Sequence, residues 1–335
     1  MDRRLEHKLC IAMVLFAAVL RLAAATGLDA PAEQALTHSG SDGSHALRLL
    51  PAQPSEPEVF PVELLPAQEA QPPGEAAAPE AAPTLDFREE EADRITVSGS
   101  CTYPVDTRAL LCGPLALTQE GDSPAVLIVH THTCEAYTPS EGWAYEPSEF
   151  MRTLDTRYSV VRVGDAVAEV LTAAGIRVIH DTALNDYPSY EGSYERMRRT
   201  IEQYLAQDPS IRFVLDLHRD AAVDERGFPV ALRAEQGGTS CAQVMFVVGT
   251  DEGGLPHPDW RENLSLAVKL QALLNRTAPG LCRDIDLRRE RFNQHETPGS
   301  LLCEIGSTGN TLPEAIASAQ LLAGALAELI LSSQP

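Results

Sequence analysis

The 335-residue chain has few basic residues, few aromatic residues and no Cys-x-x-Cys pair. Lysine and arginine together number 26 against 48 aspartates and glutamates, so the formal net charge is −22. Such an acidic chain shows no basic groove of the kind that binds nucleic acid, and we predict no nucleic-acid partner. Without a Cys-x-x-Cys pair, the sequence also gives no support for a cysteine-based zinc site.

The N-terminus lacks an apolar run long enough for an ordinary membrane-spanning helix. The apolar run Leu9–Leu20 follows three basic residues and is interrupted by Arg21. About twelve apolar residues behind a basic start are typical of a secretory signal, whereas a spanning helix needs about twenty. Either a signal peptide or a short uncleaved anchor over residues 1–26 would export everything that follows.

Residues 27–94 contain little that could form a hydrophobic core. They hold ten of the 24 prolines, and fourteen acidic residues against three arginines. This composition cannot bury enough apolar surface to offset the entropy of ordering, so we predict a disordered linker. Proline and like charges keep such a linker extended, and it would hold the next domain at a distance from the membrane.

From residue 95 to residue 335 the pattern becomes that of an α/β domain. Apolar β-branched runs predict buried strands, and helical spacing of apolar residues predicts the helices between them. The predicted strands are Val126–Val129, Ile176–Ile179, Ile211–Leu217, Val230–Leu232, Gln243–Val248 and Ser300–Ile305. The predicted helices are Ser159–Ala174, Tyr190–Gln207, Trp260–Arg276 and one that begins at the capping box Thr311-Leu-Pro-Glu314. Strands alternating with helices favour a mostly parallel sheet flanked by helices.

Ionisable side chains accompany three of the predicted strands where each approaches its carboxyl end. In chain order they are His130, His132 and Glu135, then His218, and then Glu304. Because the carboxyl edge of an α/β sheet is where such folds place their chemistry, we expect these side chains to converge. Imidazole and carboxylate groups are zinc ligands, and a catalytic zinc site takes three of them and one water. The alternative is a set of unrelated polar residues at strand ends.

Four motifs occur in the order in which a known family has them. They are His130-Thr-His-Thr-Cys-Glu-Ala-Tyr137, Asp216-Leu-His-Arg-Asp220, Arg291-Phe-Asn-Gln-His295 and Pro298-Gly-Ser-Leu-Leu-Cys-Glu-Ile-Gly-Ser-Thr-Gly-Asn310. With these motifs, roughly residues 95–333 resemble the stage II sporulation protein P family of endospore-forming bacteria. Cys134 departs from the family pattern, which has a serine or another small polar residue there. The resemblance implies a single-pass protein of the cell membrane whose extracytoplasmic domain is a peptidoglycan hydrolase.

The resemblance also implies a set of metal ligands and a general base. Zinc amidases of this type place a ligand histidine in the loop just past the first strand, which implies His132, Glu135 and His218 as Zn²⁺ ligands. His130 is the alternative to His132. Glu304, a carboxylate within an apolar strand, is the predicted general base that takes a proton from water and returns it to the departing nitrogen.

Three further residues are candidates for contact with substrate. Arg219 would stabilise the oxyanion or bind a stem-peptide carboxylate, or it would instead form an ion pair that fixes its loop. Asn293 and His295 carry amide and imidazole groups suited to sugar or peptide recognition.

The resemblance implies a zinc-dependent N-acetylmuramoyl-L-alanine amidase that acts on peptidoglycan during engulfment of the forespore, and this is the predicted function. By resemblance, stage II sporulation proteins D and M are expected partners. Two alternatives stay open. One is a zinc endopeptidase or carboxypeptidase that acts on stem peptides, and the other is a non-catalytic wall-binding scaffold in which Glu304 is dispensable.

Six cysteines follow the predicted anchor, and outside the cytosol they allow up to three disulfides. Cys101 with Cys112 is the simplest pairing, because both precede the first core strand. Cys134 and Cys303 flank predicted ligands, and we expect them to be buried and unreactive.

Overall fold

The computed structural model describes residues 85–115, 125–148 and 150–333. The predicted anchor, residues 1–26, and most of the predicted linker, residues 27–94, lie outside these described residues.

Within the described ranges the chain forms nine strands, five α-helices and three short 3-10 helices. The strands are β1 (Val97–Gly99), β2 (Ala125–Val129), β3 (Val178–His180), β4 (Ile211–Asp220), β5 (Arg233–Gln236), β6 (Thr239–Ala242), β7 (Val244–Gly249), β8 (Ile285–Arg288) and β9 (Gly299–Ser307). The α-helices are α1 (Thr107–Cys112), α2 (Val160–Ala173), α3 (Ser193–Gln207), α4 (Trp260–Thr277) and α5 (Leu312–Ser332). The 3-10 helices are Glu89–Arg94, Thr156–Tyr158 and Gln294–Glu296.

Seven strands form one sheet in the order β1-β8-β7-β9-β4-β2-β3, and β5 pairs with β6 in a separate hairpin. Every neighbouring pair in the large sheet is parallel except β7 with β9. The carboxyl ends of β2, β3, β4 and β9 therefore meet at one edge, and those of β7 and β8 lie at the opposite edge. The predicted α/β fold with a mostly parallel sheet is confirmed.

Helices cover both faces of this sheet. Val126 and Ile128 of β2 belong to the main core, which includes α2, α4 and α5. Leu127 and Val129 point to the other face and pack with Met197 of α3. This two-residue alternation decides which histidines can meet at the edge.

The predicted ends of two helices are confirmed in their capping groups. The Ser159 hydroxyl accepts from the Val161 amide at 3.2 Å at the start of α2. Gly175, with a φ of +81°, follows its end in the left-handed conformation that glycine adopts without strain. Thr311 and Glu314 form the predicted capping box of α5.

Five predicted strands differ from the structure by one to three residues at an end, and a sixth is absent. β4 continues past Leu217 to Asp220, because its pairing with β9 extends to the partners Asp220 and Ser307. The predicted strand Val230–Leu232 is wrong, since this segment is irregular and β5 begins after it. The Asn310 side chain takes over the pairing there, bonding both the amide and the carbonyl of Leu232 at 3.0 Å.

The last ten residues of the predicted linker lie on the folded domain. Phe87 packs against the core and Ala92 is buried. The Glu91 carboxylate accepts two hydrogen bonds from Arg276 of α4, at 2.6 and 2.7 Å. Residues 85–94 are therefore part of the domain, because their few apolar side chains and one bidentate ion pair are enough to dock them.

In the part of the chain that the structure describes, α5 alone is long and apolar enough to span a membrane by length and composition. Over half of its apolar window, 56%, is buried inside the domain. Burial of this extent is typical of a core helix.

The six described cysteines are free thiols, so the predicted Cys101–Cys112 disulfide is not formed. Cys112 instead donates to the Phe87 carbonyl at 3.8 Å. Cys134 and Cys303 are buried as predicted, and burial raises the pKa of the Cys134 thiol to about 12. A thiol with such a pKa stays protonated and is a poor nucleophile.

Candidate active site

Ionisable side chains of β4, β9 and the loop after β2 meet at the edge where these parallel strands end. His218 of β4 is the register partner of Glu304 of β9, so their side chains project from the same face. Asp216, two residues before His218, projects from that face as well. The loop after β2 adds His132 and Glu135, both of which are buried.

His218 lies at the centre of this cluster and contacts two carboxylates. Its Nδ1 is 3.4 Å from Glu135 Oε2, and its Nε2 is 2.9 Å from Asp216 Oδ1. The second contact lacks hydrogen-bond geometry, so Nε2 is a buried nitrogen with no hydrogen-bond partner among the described residues. Burial disfavours the charged imidazolium, but Asp216 and Glu135 outweigh it and raise the pKa of His218 well above its ordinary value.

Glu135 is held as a carboxylate. Burial opposes its ionisation, but Arg219 and His218 outweigh this effect and hold its pKa well below the usual range. Glu135 Oε2 accepts from the Arg219 amide at 3.2 Å, and Oε1 lies 3.7 Å from Arg219 Nη1. An ionised glutamate beside an imidazole is a usable pair of metal donors.

His132 faces α3 and the loop before it. Its Nε2 is 3.0 Å from the Tyr190 hydroxyl, and the two rings stack with centroids 4.4 Å apart. The rings of Tyr194 and His218 lie edge-on to it, at 5.5 and 5.3 Å. Burial lowers the pKa of His132 to about 4, so the imidazole is neutral and its nitrogen is available as a ligand.

Glu304 retains some solvent access, although its Oε2 is buried and accepts no hydrogen bond from the described residues. Burial, reinforced by the nearby carboxylates Glu135 and Asp220, raises its pKa to about 8 against the opposing effect of His218. A carboxyl group with a pKa in this range can both take up and return a proton near neutral pH.

His130, the alternative ligand, is directed to the opposite face of the sheet. It shares the alternation of Val126 and Ile128, and it reaches α2, where Gly164 leaves room for it. Its Nδ1 is 3.1 Å from the Leu217 carbonyl and its Nε2 is 2.8 Å from His180 Nε2. With both ring nitrogens engaged away from His218, His130 is not brought into the cluster.

Arg219 is buried and bonds mainly to backbone. Its Nε donates to the Ala136 carbonyl at 3.0 Å, and its Nη2 donates to the carbonyls of Phe150 and Met151 at 2.7 and 3.2 Å. Together with the contact to Glu135, this arrangement favours the ion-pair alternative for Arg219. Its direct contact with a substrate stays a prediction.

Asn293 and His295 follow β8, whose carboxyl end is at the other edge of the sheet. The Asn293 amide donates to the Tyr194 carbonyl at 2.8 Å, which links it indirectly to His132. His295 Nε2 is 2.9 Å from Glu296 Oε1. The structure thus places neither side chain in the cluster, and their role in substrate binding stays a prediction.

Sequence reasoning missed three groups that complete the cluster. Asp216 binds the amide and hydroxyl of Thr131 at 2.8 and 2.6 Å, and its two-residue spacing from His218 was a readable signal. Tyr190 and Tyr194 cover His132, but the sequence pattern predicts Tyr190 within a helix, and that helix begins at Ser193. Nothing in the local pattern distinguished its ring from an inward-facing helical residue.

The donor types in the cluster fit a zinc ion. Two imidazoles and a carboxylate are ligands that zinc accepts, and His218 Nε2 and Glu304 Oε2 are buried atoms without a hydrogen bond among the described residues. As they stand, no three His, Cys, Asp or Glu side chains in residues 85–115, 125–148 and 150–333 are grouped closely enough to hold a metal ion. The side chains instead pair with one another, Glu135 with His218 and His132 with Tyr190.

Comparison with protein families identifies the relatives of this chain. The model of the family "Stage II sporulation protein P (SpoIIP)" matches residues 57–327. The chain belongs to the stage II sporulation protein P family. Three of the four motifs contribute side chains to the cluster. They are the motifs that begin at His130, Asp216 and Pro298. The fourth, Arg291 to His295, follows β8 and reaches the cluster only through Tyr194, which contacts Phe292 and Asn293.

Stage II sporulation protein P of Bacillus subtilis (strain 168) is 27% identical over 220 residues, which are 62% of this chain and 52% of that protein. The chain thus spans about half the length of this curated relative.

Solved structures of amidases are also similar. The N-acetylmuramyl-L-alanine amidase Ami1 of Mycobacterium smegmatis has a TM-score of 0.38 at 14% identity, covering 64% of this chain and all of that one. The amidase AmiC2 of Nostoc punctiforme has a TM-score of 0.35 at 15% identity, with 63% and 97% covered. The CwlD amidase of Clostridioides difficile, solved with the GerS lipoprotein, has a TM-score of 0.36 at 10% identity, with 60% and 94% covered. TM-scores below 0.5 do not establish a shared fold.

Proposed function

We propose that this chain is a zinc-dependent peptidoglycan hydrolase that cleaves the amide between N-acetylmuramic acid and L-alanine during sporulation. The observation that carries the proposal is the cluster of His132, Glu135 and His218 on one face, with Glu304 in register beside His218. Membership of the stage II sporulation protein P family supports a substrate in the cell wall.

His132, Glu135 and His218 are the proposed Zn²⁺ ligands. Zinc, when bound, would supply Lewis-acid polarisation of the scissile carbonyl and a water with a lowered pKa. Asp216, within 2.9 Å of His218 Nε2, would place negative charge beside the imidazole and raise its basicity as a ligand. Arg219 would hold Glu135 in place through its amide and guanidinium group.

Glu304 would act as the general base and then as the general acid. Its carboxylate would take a proton from the attacking water as the oxygen bonds to the amide carbon. It would return that proton to the nitrogen of L-alanine as the carbon–nitrogen bond breaks, so the products are a muramic acid carboxylate and a free amine. One carboxyl group near the reacting atoms is sufficient for both transfers.

The test uses the purified full-length chain, with its zinc content measured and peptidoglycan digests analysed by mass spectrometry. We expect stem peptides that begin with a free L-alanine amine. Glu304→Gln should lose about a hundredfold or more of the rate while it keeps its zinc, because a general base contributes about that much. Glu169→Gln, an exposed glutamate of α2, is the matched control.

Other outcomes would overturn the proposal. Cut cross-links with intact lactyl-alanine bonds would show a stem-peptide endopeptidase. Unchanged product formation by Glu304→Gln would remove the proposed base. Absence of cleavage by a folded, zinc-loaded chain, with stage II sporulation protein D added, would identify a wall-binding scaffold.

The cellular setting is also a proposal. An anchor within residues 1–26 would place the domain on the outer side of the cell membrane. Partnership with stage II sporulation proteins D and M would combine amide cleavage with cleavage of the glycan strand, the activity that the resemblance assigns to protein D.

A further inference from the structure

Strained backbone in the described residues is concentrated in two turns. Phe150 and Met151 have φ of 63° and 50°, and Phe292 and Asn293 have φ of 48° and 59°. No other non-glycine residue in the described ranges has a positive φ. Non-glycine residues rarely adopt this backbone conformation, and residues held in it are concentrated at binding and catalytic sites.

The Phe150–Met151 turn is fixed to the cluster by Arg219. The Nη2 group of Arg219 donates to both carbonyls of the turn, at 2.7 and 3.2 Å. The amide of the same residue donates to Glu135 Oε2 at 3.2 Å. Arg219 therefore contacts both the strained turn, through its guanidinium, and the proposed metal ligand Glu135, through its backbone amide.

The turn is also fixed on its other side. Arg152 bonds to the buried carboxylate of Asp186, and its guanidinium lies 5.3 Å from the centroid of the Tyr190 ring. Tyr190 in turn stacks on His132. Two independent connections thus set the position of Phe150 relative to the cluster.

The side chain that this turn presents is apolar and unburied. Phe150 is 56% exposed and Tyr190 is 55% exposed. The two arginines that fix the turn are already engaged, Arg219 with Glu135 and Arg152 with Asp186. The surface beside the cluster is therefore better suited to an uncharged ring than to the carboxylates of a stem peptide.

We infer that Phe150 is a substrate-binding residue whose ring packs against a sugar of the glycan strand next to the scissile amide. The inference rests on the proposed function, because peptidoglycan is taken as the substrate. A planar aromatic ring buries apolar area against the carbon face of a sugar at little entropic cost, since its side chain has two rotatable bonds. The hydrogen bonds from Arg219 to the turn are then what holds the exposed ring in place.

Binding without turnover tests this inference. In the full-length chain carrying Glu304→Gln, we would measure binding to glycan strands stripped of their stem peptides, and separately to free stem peptides. Adding Phe150→Ala should weaken binding to glycan strands about tenfold, the scale of removing an aromatic anchor. Phe150→Tyr should retain most of the affinity. Leu255→Ala is the control, because Leu255 is 58% exposed but follows β7 at the other edge.

The two binding measurements, with glycan strands and with stem peptides, distinguish the possible results. Unchanged glycan binding in Phe150→Ala, with an unchanged urea midpoint, would overturn the inference. Weaker binding to stem peptides alone would reassign Phe150 to the peptide. If Phe150→Ala lowered the urea midpoint, Phe150→Leu, which keeps the bulk and loses the ring, would decide by the same glycan measurement. None of these results depends on catalysis, so the proposed amidase activity stands or falls separately with the Glu304→Gln comparison.

Discussion

His130 and His132 are two residues apart and face different helices. His130 contacts His180 beside α2, whereas His132 lies against Tyr190 and α3. We predict that His132→Gln lowers the zinc content of the purified chain well below that of the unsubstituted protein, because a proposed ligand is lost. His130→Gln should keep its zinc and lose stability instead. Zinc analysis of both variants, with urea unfolding, makes the comparison, and the reverse pattern would restore His130 as the ligand.

Gly164 of α2 is the residue that makes room for the two histidines. A Cβ there would lie 2.5 Å from His180 Nε2 and 2.8 Å from His130 Nε2. We predict that Gly164→Ala destabilises the domain by about 1–3 kcal/mol through overpacking. Gly324→Ala is the control in α5, where a new Cβ meets nothing within 4 Å. It should stabilise by about 0.5–1 kcal/mol, since alanine favours the helix interior. Equal urea midpoints for the two variants would contradict this account.

Single residues were predictable when strand alternation fixed their direction. His218 and Glu304 belong to apolar strands, and the structure places them in register as neighbours. His130 could have been assigned to the opposite face from its spacing to Ile128 alone. Tyr190 could not be assigned, because its contact with His132 depends on the path of the loop before α3, which no local pattern specifies.

At the scale of elements, helical periodicity predicts the helices more reliably than strand patterns predict the pairing of the strands. The helix predicted over Ser159–Ala174 differs from α2 by one residue at each end. The antiparallel pairing of β7 with β9 was not predictable, because alternation of strands and helices favours parallel neighbours. The β5–β6 hairpin leads directly into β7 and replaces the crossover helix that would have kept the direction. Its strands are short and mostly polar, so the sequence pattern does not identify them as strands.

The 3-10 helix Glu89–Arg94 is joined to α4 by one ion pair. The bidentate hydrogen bonds from Arg276 lower the pKa of Glu91 to about 2, from an ordinary value of 4.5. Because the folded-state pKa is depressed, the pair stabilises above about pH 4.5, and this stability is lost as the pH falls towards 2. We predict that Glu91→Gln costs about 1–2 kcal/mol at pH 7 and progressively less below pH 4.5.

Urea unfolding of Glu91→Gln at several pH values checks this difference. Glu90→Gln is the matched control, since Glu90 is exposed and its ion pair is with the exposed side chain of Arg88. A loss of stability in Glu91→Gln that did not change with pH would indicate that the carboxylate charge is not what docks the helix.

At the scale of the whole molecule, composition placed the start of the folded domain about ten residues too late, since residues 85–94 dock on it. Residues 27–94 carry a net charge of −11, half of the chain's −22. A composition averaged over such a stretch hides the few side chains that dock, namely Leu85, Phe87 and Ala92. The pairing of Glu91 with Arg276 joins residues 185 positions apart, a distance at which local sequence carries no signal.

The docked segment leads to a prediction about where the domain can be cut. The centroid of the Phe87 ring lies 5.1 Å from the ammonium of Lys269 and 5.0 Å from the guanidinium of Arg276. Removal of Phe87 would therefore expose both cations of α4 and the apolar surface around them. A chain that begins at Ile95 should therefore be about 2–4 kcal/mol less stable than one that begins at Leu85, from the lost burial of an aromatic side chain and its neighbours.

Urea unfolding of the two fragments measures this difference in stability. Their zinc content should be equal under folding conditions, because the segment docks on α4 and contacts none of the proposed ligands among the described residues. Equal midpoints would mean that residues 85–94 rest on the domain without stabilising it, whereas loss of zinc only in the shorter fragment would mean that the segment supports the cluster from a distance.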